Sequence, residues 1–314
     1  MLTGDGVGPE VAREASRALK ALVPEVDLEE QLIGGAAIRA TGNPLPEETL
    51  EAARGADAVL KAPVGDPEFD AADVRPEQGL LRLRAELDVF ANLRPAGPVT
   101  IVRELVGGLY FGASGVRDDG TVFDTCEYHP REVERVARRA FELARGKRLT
   151  SVDKANVLET SRMWRRVVNE VAAEYPDVEV DHMLVDNAAM QIATSLDRFD
   201  VILTENMFGD ILSDLAAAVT GGLGLAPSAS LGDGGPGLFE PVHGSAPDIA
   251  GQGIANPTAM LRSTALLLRH GLAREDEAAA LERAVDGALR ERPTRDVGGS
   301  ATTSEFGDAV LAAL

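Results

Sequence analysis

Two aspartates in the second half of the chain are spaced so that a helix would present both carboxylates together. Asp210 and Asp214 stand four residues apart in the segment GDILSD (209–214), and positions i and i+4 share one helix face. Two oxygen ligands on one face, with a third carboxylate nearby, suit Mg²⁺ or Mn²⁺. Aspartates near a helix start also cap it and complement its dipole, so the spacing alone leaves a structural role open.

Four arginines occur close together in the first third of the chain: Arg82, Arg84, Arg94 and Arg103. Arginine pairs with carboxylates in a bidentate manner, which lysine cannot do. A solvated basic face is the alternative interpretation. The chain has 31 lysines and arginines against 51 aspartates and glutamates, a net charge of −20. A site for an acidic substrate must therefore gather arginine locally, and this balance favours a carboxylate-binding role.

Lys154 stands among apolar neighbours in the segment SVDKAN (151–156) of a chain that has only four lysines. A desolvated lysine loses basicity and can act as a base or proton relay near neutral pH. An ordinary surface lysine is the alternative. The glycine-rich segment GDGVGP (4–9) has the spacing G-x-G-x-G, which differs from the dinucleotide fingerprint G-x-G-x-x-G, and a tight turn into a helix explains it equally well.

Other chemistries find little support in the sequence. Neither a G-x-S-x-G elbow nor a phosphate-binding G-x-x-x-x-G-K-[ST] loop is present, and the four histidines lack zinc-site spacing. The single cysteine, Cys126, excludes an internal disulfide framework and fits a reducing cytoplasm. The strong negative charge argues against nucleic acids and anionic membrane surfaces as partners. No apolar run suits a membrane helix, and no signal peptide is expected.

The elements that must position these residues alternate between strands and helices. Apolar periodicity predicts helices at 9–23, 130–144, 161–173, 261–270 and 275–290. It predicts strands at 56–64, from 101 onward, at 149–157 (strand or loop), at 178–185 and at 199–203, and each of the last two is followed by a predicted helix. This order indicates an α/β fold with a largely parallel or mixed sheet. Breaks rich in proline and glycine, at 93–98 and 221–237, would bracket an inserted middle domain.

Several long segments, in order along nearly the whole chain, resemble the isocitrate/isopropylmalate dehydrogenase family of β-decarboxylating dehydrogenases. They are GDGVGPE (4–10), SVDKANVL (151–158), NMFGDILSDL (206–215), FEPVHGSAPDIAG (239–251) and IANPT (254–258). The resemblance implies a two-domain α/β fold that is not a true Rossmann fold. Residues 1–89 and 221–314 would form the first, NAD-binding domain with both termini. Residues 90–220 would form the inserted second domain, which carries the dimer interface and the metal and catalytic residues.

The resemblance also assigns roles within a homodimer that shares its active sites. The implied substrate is a small 2-hydroxy dicarboxylate, and the implied cofactors are NAD and Mg²⁺ or Mn²⁺. The substrate-binding residues would be Glu77, Leu80, Leu81, Arg84, Arg94, Arg103 and Asp186. The metal ligands would be Asp186, Asp210 and Asp214, with Asp186 from the neighbouring subunit. The catalytic residues would be Tyr128 and Lys154. Lys154, like Asp186, would come from the neighbouring subunit. The cofactor-binding residues would be His243, Gly244, Ser245, Ala246, Asp248, Ile249 and Asn256.

The chemistry implied for these residues is oxidation followed by decarboxylation. Lys154 would accept the hydroxyl proton as hydride leaves for NAD⁺, and the metal would stabilise the charge that CO₂ loss leaves on the keto oxygen. Tyr128 would then protonate the enol carbon. An acid at Asp248 would bind ribose hydroxyls and repel a 2′-phosphate, which favours NAD over NADP.

Specificity would be set by Leu80 and Leu81, which would form an apolar pocket for an isopropyl group. Burial of such a group is worth about 2 kcal/mol. Arg82 departs from the small residue expected beside this pocket. Related substrates (D-malate, tartrate, isocitrate or homoisocitrate) are the first alternative, and a non-catalytic homologue is the second. Two further departures concern the fold: only three residues precede the first motif, where the family has a strand, and the stretch 95–101 is short. Either the start is misassigned or the sheet lacks most of one strand.

Overall fold

The computed structural model describes all 314 residues, and they form two compact units. Unit 1 comprises Met1–Asp88 and Gly221–Leu314, and unit 2 comprises Val89–Thr220. The division expected from the sequence places the first boundary one residue later and the second at the same position. Strands and helices alternate in both units, which confirms the mixed α/β class. No helix combines the length and apolarity that a membrane span requires.

Eleven helices and ten strands make up the two units. The helices are α1 (Gly8–Leu22), α2 (Gly35–Thr41), α3 (Glu47–Gly55), α4 (Pro76–Glu86), α5 (Pro130–Leu143), α6 (Glu159–Ala172), α7 (Val185–Thr194), α8 (Asn206–Val219), α9 (Thr258–Leu266), α10 (Glu275–Glu291) and α11 (Thr303–Ala312). The strands are β1 (Ala58–Leu60), β2 (Ala91–Ala96), β3 (Val99–Glu104), β4 (Ser114–Val116), β5 (Val122–Asp124), β6 (Arg148–Asp153), β7 (Glu179–Leu184), β8 (Val201–Thr204), β9 (Pro227–Leu231) and β10 (Gly237–Pro241).

In unit 1, β10 pairs in parallel with β1 and antiparallel with β9. Helix α9 packs against both β9 and β10, and because nearly all of its residues are buried it forms the centre of this unit. Leu2 makes isolated parallel bridges to Gln31 and Lys61. The residues before the first motif therefore contribute isolated bridges and no strand of their own.

Unit 2 is built on a sheet in the order β2, β3, β8, β6, β7, where only the β2–β3 pair is antiparallel. Helices α5 and α6 pack together, as do α7 and α8. Strand β8 is an unbroken buried run of Val201, Ile202 and Leu203, as expected for a parallel strand covered on both faces. Strands β4 and β5 form a separate hairpin.

Two predictions of chain breaks were wrong in detail. Residues 93–98 lie mostly within β2, and only Gly97 and Pro98 form the turn to β3. Gly97 has a φ of 56° at the first position of this two-residue loop, where tight hairpins favour glycine. Residues 221–237 likewise contain β9. Glycine and proline content indicated turns correctly, but it concealed the short strands between them. Helices α2, α3, α4 and α11 were not predicted.

Candidate active site

The predicted helix around the two aspartates is α8, and its start is fixed by a buried acid. Glu205 follows β8 directly, and its carboxylate accepts hydrogen bonds from the backbone N–H groups of Met207 (3.1 Å) and Phe208 (2.8 Å). This cap sets the rotation of α8. Asp210 and Asp214 consequently project from one face one turn apart, as the spacing predicted.

The aspartates of α8 meet two of the predicted arginines. Arg94 comes from β2 and lies 3.2 Å from Asp214 Oδ1 and 3.4 Å from Asp210 Oδ1. Arg103 comes from β3 and forms an ion pair with Asp210. Two cations and two carboxylates thus form one cluster, which we call the arginine–aspartate cluster. Burial raises the pKa of Asp214, and the nearby Arg94 opposes that rise.

Hydrogen bonds fix both arginines before any ligand arrives. Arg94 donates to Asn92 Oδ1 (2.8 Å) and to Ser213 Oγ (2.7 Å). Arg103 donates through two of its nitrogens to Asn206 Oδ1 (2.9 and 2.7 Å). Gly209 is required here, because a Cβ at that position would stand 2.6 Å from Arg103 Cγ. The guanidinium groups are therefore preorganised.

Tyr128 lies in a different part of unit 2, among buried acids. Its hydroxyl accepts a hydrogen bond from the Asn206 backbone N–H (3.0 Å) and donates one to Glu205 Oε2 (3.3 Å), and its ring contacts Trp164 edge to face. Burial raises the pKa of Tyr128 well above its usual range, and the charges of Glu104 and Glu205 add to the effect. The phenol therefore keeps its proton at neutral pH, as a general acid must.

Lys154 and Asp186 lie at the carboxyl ends of the neighbouring parallel strands β6 and β7. Lys154 Nζ donates to Asp186 Oδ1 over 2.5 Å, and 67% of the Asp186 side chain is exposed. This ion pair lowers the pKa of Asp186. Lys154 thus has a charged partner, which its apolar sequence neighbours did not predict. No three His, Cys, Asp or Glu side chains converge on a metal-sized site within the chain.

In unit 1, α4 carries a second group of predicted residues on one face. Glu77, Leu80, Leu81 and Arg84 are separated by three and four residues, so they lie along one stripe of the helix. Arg84 forms an ion pair with Glu240 Oε1 (2.9 Å), and its buried Nε has no hydrogen-bond partner. Arg82 points the other way, because two residues turn the helix by roughly 200°. It donates instead to Glu47 (2.8 Å).

The partner of Arg84 belongs to a buried group that the sequence did not reveal. Lys61 Nζ lies 2.7 Å from Glu240 Oε2, and the two side chains are 2% and 6% exposed. Although burial alone would raise it, Lys61 and Arg84 hold the pKa of Glu240 at about 2. We call Lys61, Glu240 and Arg84 the buried triad. Only the structure shows that these three residues lie together. The rarity of lysine in this chain was the one available signal for Lys61.

The glycine-rich first motif has a structural role. Asp5 is buried, and its carboxylate accepts hydrogen bonds from the N–H groups of Gly35 (2.9 Å), Ala36 (2.9 Å) and Gly65 (3.0 Å). Gly6 has a φ of 57°, and a Cβ there would stand 2.0 Å from the Ser245 carbonyl oxygen. The motif is therefore a tight turn that holds the segment at Ser245 in place.

The predicted cofactor-binding residues all lie in the connection between β10 and α9. Glu10 fixes this segment by accepting the N–H of Gly253 (3.0 Å). Asn256 is buried and bonds to Asp296 (3.0 Å), and burial lowers the pKa of His243. Gly244 and Asp248 are exposed, Ala246 and Ile249 are half-buried, and Ser245 is buried. An exposed carboxylate at Asp248 is free to accept hydrogen bonds from a ligand.

The fold and these residues define a member of the isocitrate/isopropylmalate dehydrogenase family. The sequence model of that family matches residues 1–310, and the chain belongs to it. Similar relatives are the 3-isopropylmalate dehydrogenase of Zymomonas mobilis, 54% identical over 100% of this chain and 99% of the relative, and that of Deinococcus radiodurans, 51% identical over 100% and 96%. Among solved structures, an isocitrate dehydrogenase from Methylococcus capsulatus has a TM-score of 0.92 at 36% identity, covering 99% of this chain and 97% of that one. A β-decarboxylating dehydrogenase from Thermococcus kodakarensis has a TM-score of 0.86 at 41% identity, covering 99% and 94%.

Proposed function

We propose that this protein catalyses the NAD-dependent oxidative decarboxylation of 3-isopropylmalate to 4-methyl-2-oxopentanoate, a step in leucine biosynthesis. The observation that carries the proposal is the identity of about half of all positions, over the entire chain, to proteins named 3-isopropylmalate dehydrogenase. The arginines and leucines assigned to substrate binding suit a dicarboxylate with an apolar branch. Three arginines can bind its carboxylates, and one stripe of α4 offers Leu80 and Leu81 next to Arg84.

The carboxylates of the substrate would be held by Arg84, Arg94 and Arg103. Arg84 has a buried Nε without a partner, and such an atom is normally satisfied by a ligand or water. Arg94 and Arg103 are held rigidly by their amide and hydroxyl partners. Leu80 and Leu81 would bind the isopropyl group, and Glu77 lies on the same stripe.

A divalent cation fits the residues of α8. Asp210 and Asp214 offer hard oxygen donors one turn apart, which Mg²⁺ and Mn²⁺ prefer. Because no third acid converges on them within one chain, Asp186 of the partner subunit would complete the set. When bound, the cation supplies a Lewis acid for the charge that develops on the substrate's C2 oxygen.

A homodimer is supported by apolar side chains exposed on unit 2. Met190 on α7 and Ile211 on the adjacent α8 are 55% and 60% exposed. Val116 and Val122 face each other across the β4–β5 hairpin and are 70% and 72% exposed. Exposed apolar groups of this kind mark protein–protein contact surfaces. We assign them to contact with a second copy of the chain.

Two residues would move protons in the reaction. As the neutral amine, Lys154 of the partner subunit would accept the proton of the C2 hydroxyl while hydride leaves C2, and its contact with Asp186 positions the side chain. After CO₂ has left, Tyr128 would protonate C3, a role for which its retained proton suits it. Bound NAD⁺ supplies the hydride acceptor, with His243, Gly244, Ser245, Ala246, Asp248, Ile249 and Asn256 as its binding residues.

The test is NADH formation from 3-isopropylmalate with and without Mg²⁺. We expect turnover that chelation abolishes and that Mg²⁺ or Mn²⁺ restores. D-Malate, tartrate, isocitrate and homoisocitrate should react more slowly, and NADP⁺ should be a poor substitute for NAD⁺. Equal or faster turnover of isocitrate or D-malate would overturn the substrate assignment. The variant Lys154→Ala should bind NAD⁺ normally but lose turnover, with Lys147→Ala as the matched control.

A further inference from the structure

The proposed reaction leaves one buried acid beside Tyr128 without a role. Glu104 ends β3 and has no exposed surface. Its Oε1 accepts the Val106 N–H (3.0 Å) and its Oε2 accepts the Gly107 N–H (2.9 Å). The carboxyl group is therefore held at a fixed position, although its charge is not compensated by any cation among these contacts.

Two glycines bring this carboxyl group and the tyrosine together. A Cβ on Gly107 would stand 2.7 Å from Tyr128 Cε1 and 3.1 Å from Glu104 Oε2, and a Cβ on Gly108 would stand 2.4 Å from the Tyr128 hydroxyl oxygen. Without side chains at either position, the Glu104 carboxyl group lies beside the Tyr128 ring, and its charge adds to burial in raising the pKa of Tyr128. Tyr128 accepts the Asn206 N–H, and its own proton faces two carboxyl groups: it is donated to Glu205 Oε2 over 3.3 Å, with Glu104 on the side of Gly107.

The same place has an opening toward solvent. A depression of about 430 Å³ is lined by Val106, Gly107, Gly108, Tyr128, His129 and Glu132. His129 is exposed and Glu132 is half-buried at the start of α5. Glu104 itself does not line the depression, but Gly107, whose N–H its Oε2 accepts, does. Tyr128 lines it directly, so the Glu104–Tyr128 pair lies at its wall.

The electrostatics of the pocket suit a group that both takes and gives a proton. Burial raises the pKa of Glu104 to about 7, the two backbone N–H groups oppose that rise, and the charge of Glu132 adds to it. Glu205 is the other acid facing Tyr128, and its carboxylate accepts both the N–H groups at the start of α8 and the Tyr128 hydroxyl. The two acids differ in their backbone partners: those of Glu104 are Val106 and Gly107, which line the depression, whereas those of Glu205 are Met207 and Phe208, which do not.

We propose that Glu104 returns the proton that Tyr128 gives to the substrate, and so acts as a positioning and proton-supplying residue through Tyr128. The inference rests on the proposed function. Tyr128 transfers its hydroxyl proton to C3 of the enolate, which becomes the ketone, and a phenolate remains. The Glu104 carboxylic acid transfers its proton to that phenolate and becomes a carboxylate. The carboxylate then takes a proton from water in the depression, so one solvent proton is consumed per turnover.

The step can be measured in reverse, apart from hydride transfer. With NADH and Mg²⁺ bound, the enzyme should exchange the C3 hydrogens of 4-methyl-2-oxopentanoate for deuterium in D₂O, as followed by NMR. Exchange requires Glu104 to take the Tyr128 proton first. We expect Glu104→Gln to slow exchange roughly 10²-fold, within the usual contribution of acid–base groups. The KM for 3-isopropylmalate and the first-turnover formation of NADH should stay within about twofold of the wild type.

Three further variants make the result specific. Tyr128→Phe should abolish exchange, Glu104→Asp should restore most of it because a carboxyl group is kept, and the exposed Glu170→Gln should match the wild type. Unchanged exchange in Glu104→Gln would overturn the inference. So would a parallel loss of exchange, KM and first-turnover NADH in both Glu104 variants, because that pattern shows a purely structural role. Absence of NADH formation from 3-isopropylmalate by the wild type would instead reject the proposed function.

Discussion

The arginine–aspartate cluster of unit 2 and the buried triad of unit 1 use the same residue types in opposite ways. The carboxylates of Asp210 and Asp214 remain 36% and 51% exposed above nearly buried arginines. In the triad, Glu240 and Lys61 are both sealed from solvent. A half-open cluster can exchange its internal ion pairs for a metal and a dicarboxylate. The sealed Lys61–Glu240 pair cannot, so its contribution is to hold Arg84 in place.

This difference predicts that the two groups respond differently to the loss of one carboxylate. The largest expected effect is on activity in Asp210→Asn. Turnover should fall roughly 10³-fold, because a Lewis acid contributes several kcal/mol to stabilising the transition state. The free energy of unfolding should change by less than about 1 kcal/mol, since the carboxylate is partly solvated. Asp197→Asn, an exposed aspartate of the same unit, serves as the control. A loss of stability that matches the loss of activity would contradict the comparison.

In the buried triad the effect should fall on stability. Glu240→Ala leaves Lys61 and Arg84 without their anion, and breaking a buried ion pair costs about 3–5 kcal/mol. Urea unfolding should show this loss as a lower midpoint with an unchanged slope. The matched control is Asp286→Ala, which removes the exposed ion pair with Arg262 and should cost less than about 1 kcal/mol.

A double variant sharpens the same comparison. Lys61→Met combined with Glu240→Gln removes the buried charge pair together with its desolvation penalty, so it should be more stable than Glu240→Gln alone. Additive losses from the two positions would show that Lys61 and Glu240 are not coupled.

The two groups also differ in how far the sequence could predict them. Asp210 and Asp214 share a helix face by their spacing, and the arginines were conspicuous in an acidic chain, so local pattern and charge balance were sufficient. Glu240 lay within a recognised motif, but its partner Lys61 is distant in sequence and becomes its neighbour only because β1 pairs with β10. Glu104 likewise meets Tyr128 only through the turn at Gly107. Pairings between distant segments are set by tertiary packing. The same holds for the short strands β2 and β9, which lie within glycine-rich stretches.

The predicted apolar pocket offers a smaller effect. Leu80→Ala should raise the KM for 3-isopropylmalate by about tenfold, since removing apolar contact is worth roughly 1–3 kcal/mol. Turnover of D-malate, which has no isopropyl group, should change much less. Steady-state kinetics on both substrates measure how much more the variant affects 3-isopropylmalate than D-malate. The control is Leu32→Ala, at an exposed leucine of the same unit. An equal loss on both substrates would place Leu80 outside the pocket.

The smallest effect is expected for Arg82, the residue that departs from the family pattern. Its guanidinium binds Glu47 on α3, and both side chains are at least 40% exposed. Because Arg82 lies roughly 200° around α4 from Arg84, it should touch no part of a substrate held by Arg84. Arg82→Ser should leave KM and turnover for 3-isopropylmalate unchanged and should lower the free energy of unfolding by less than about 1 kcal/mol. A changed preference among isopropylmalate, isocitrate and D-malate would show that Arg82 turns toward the substrate, and would move the determinant of specificity from the leucines to this arginine.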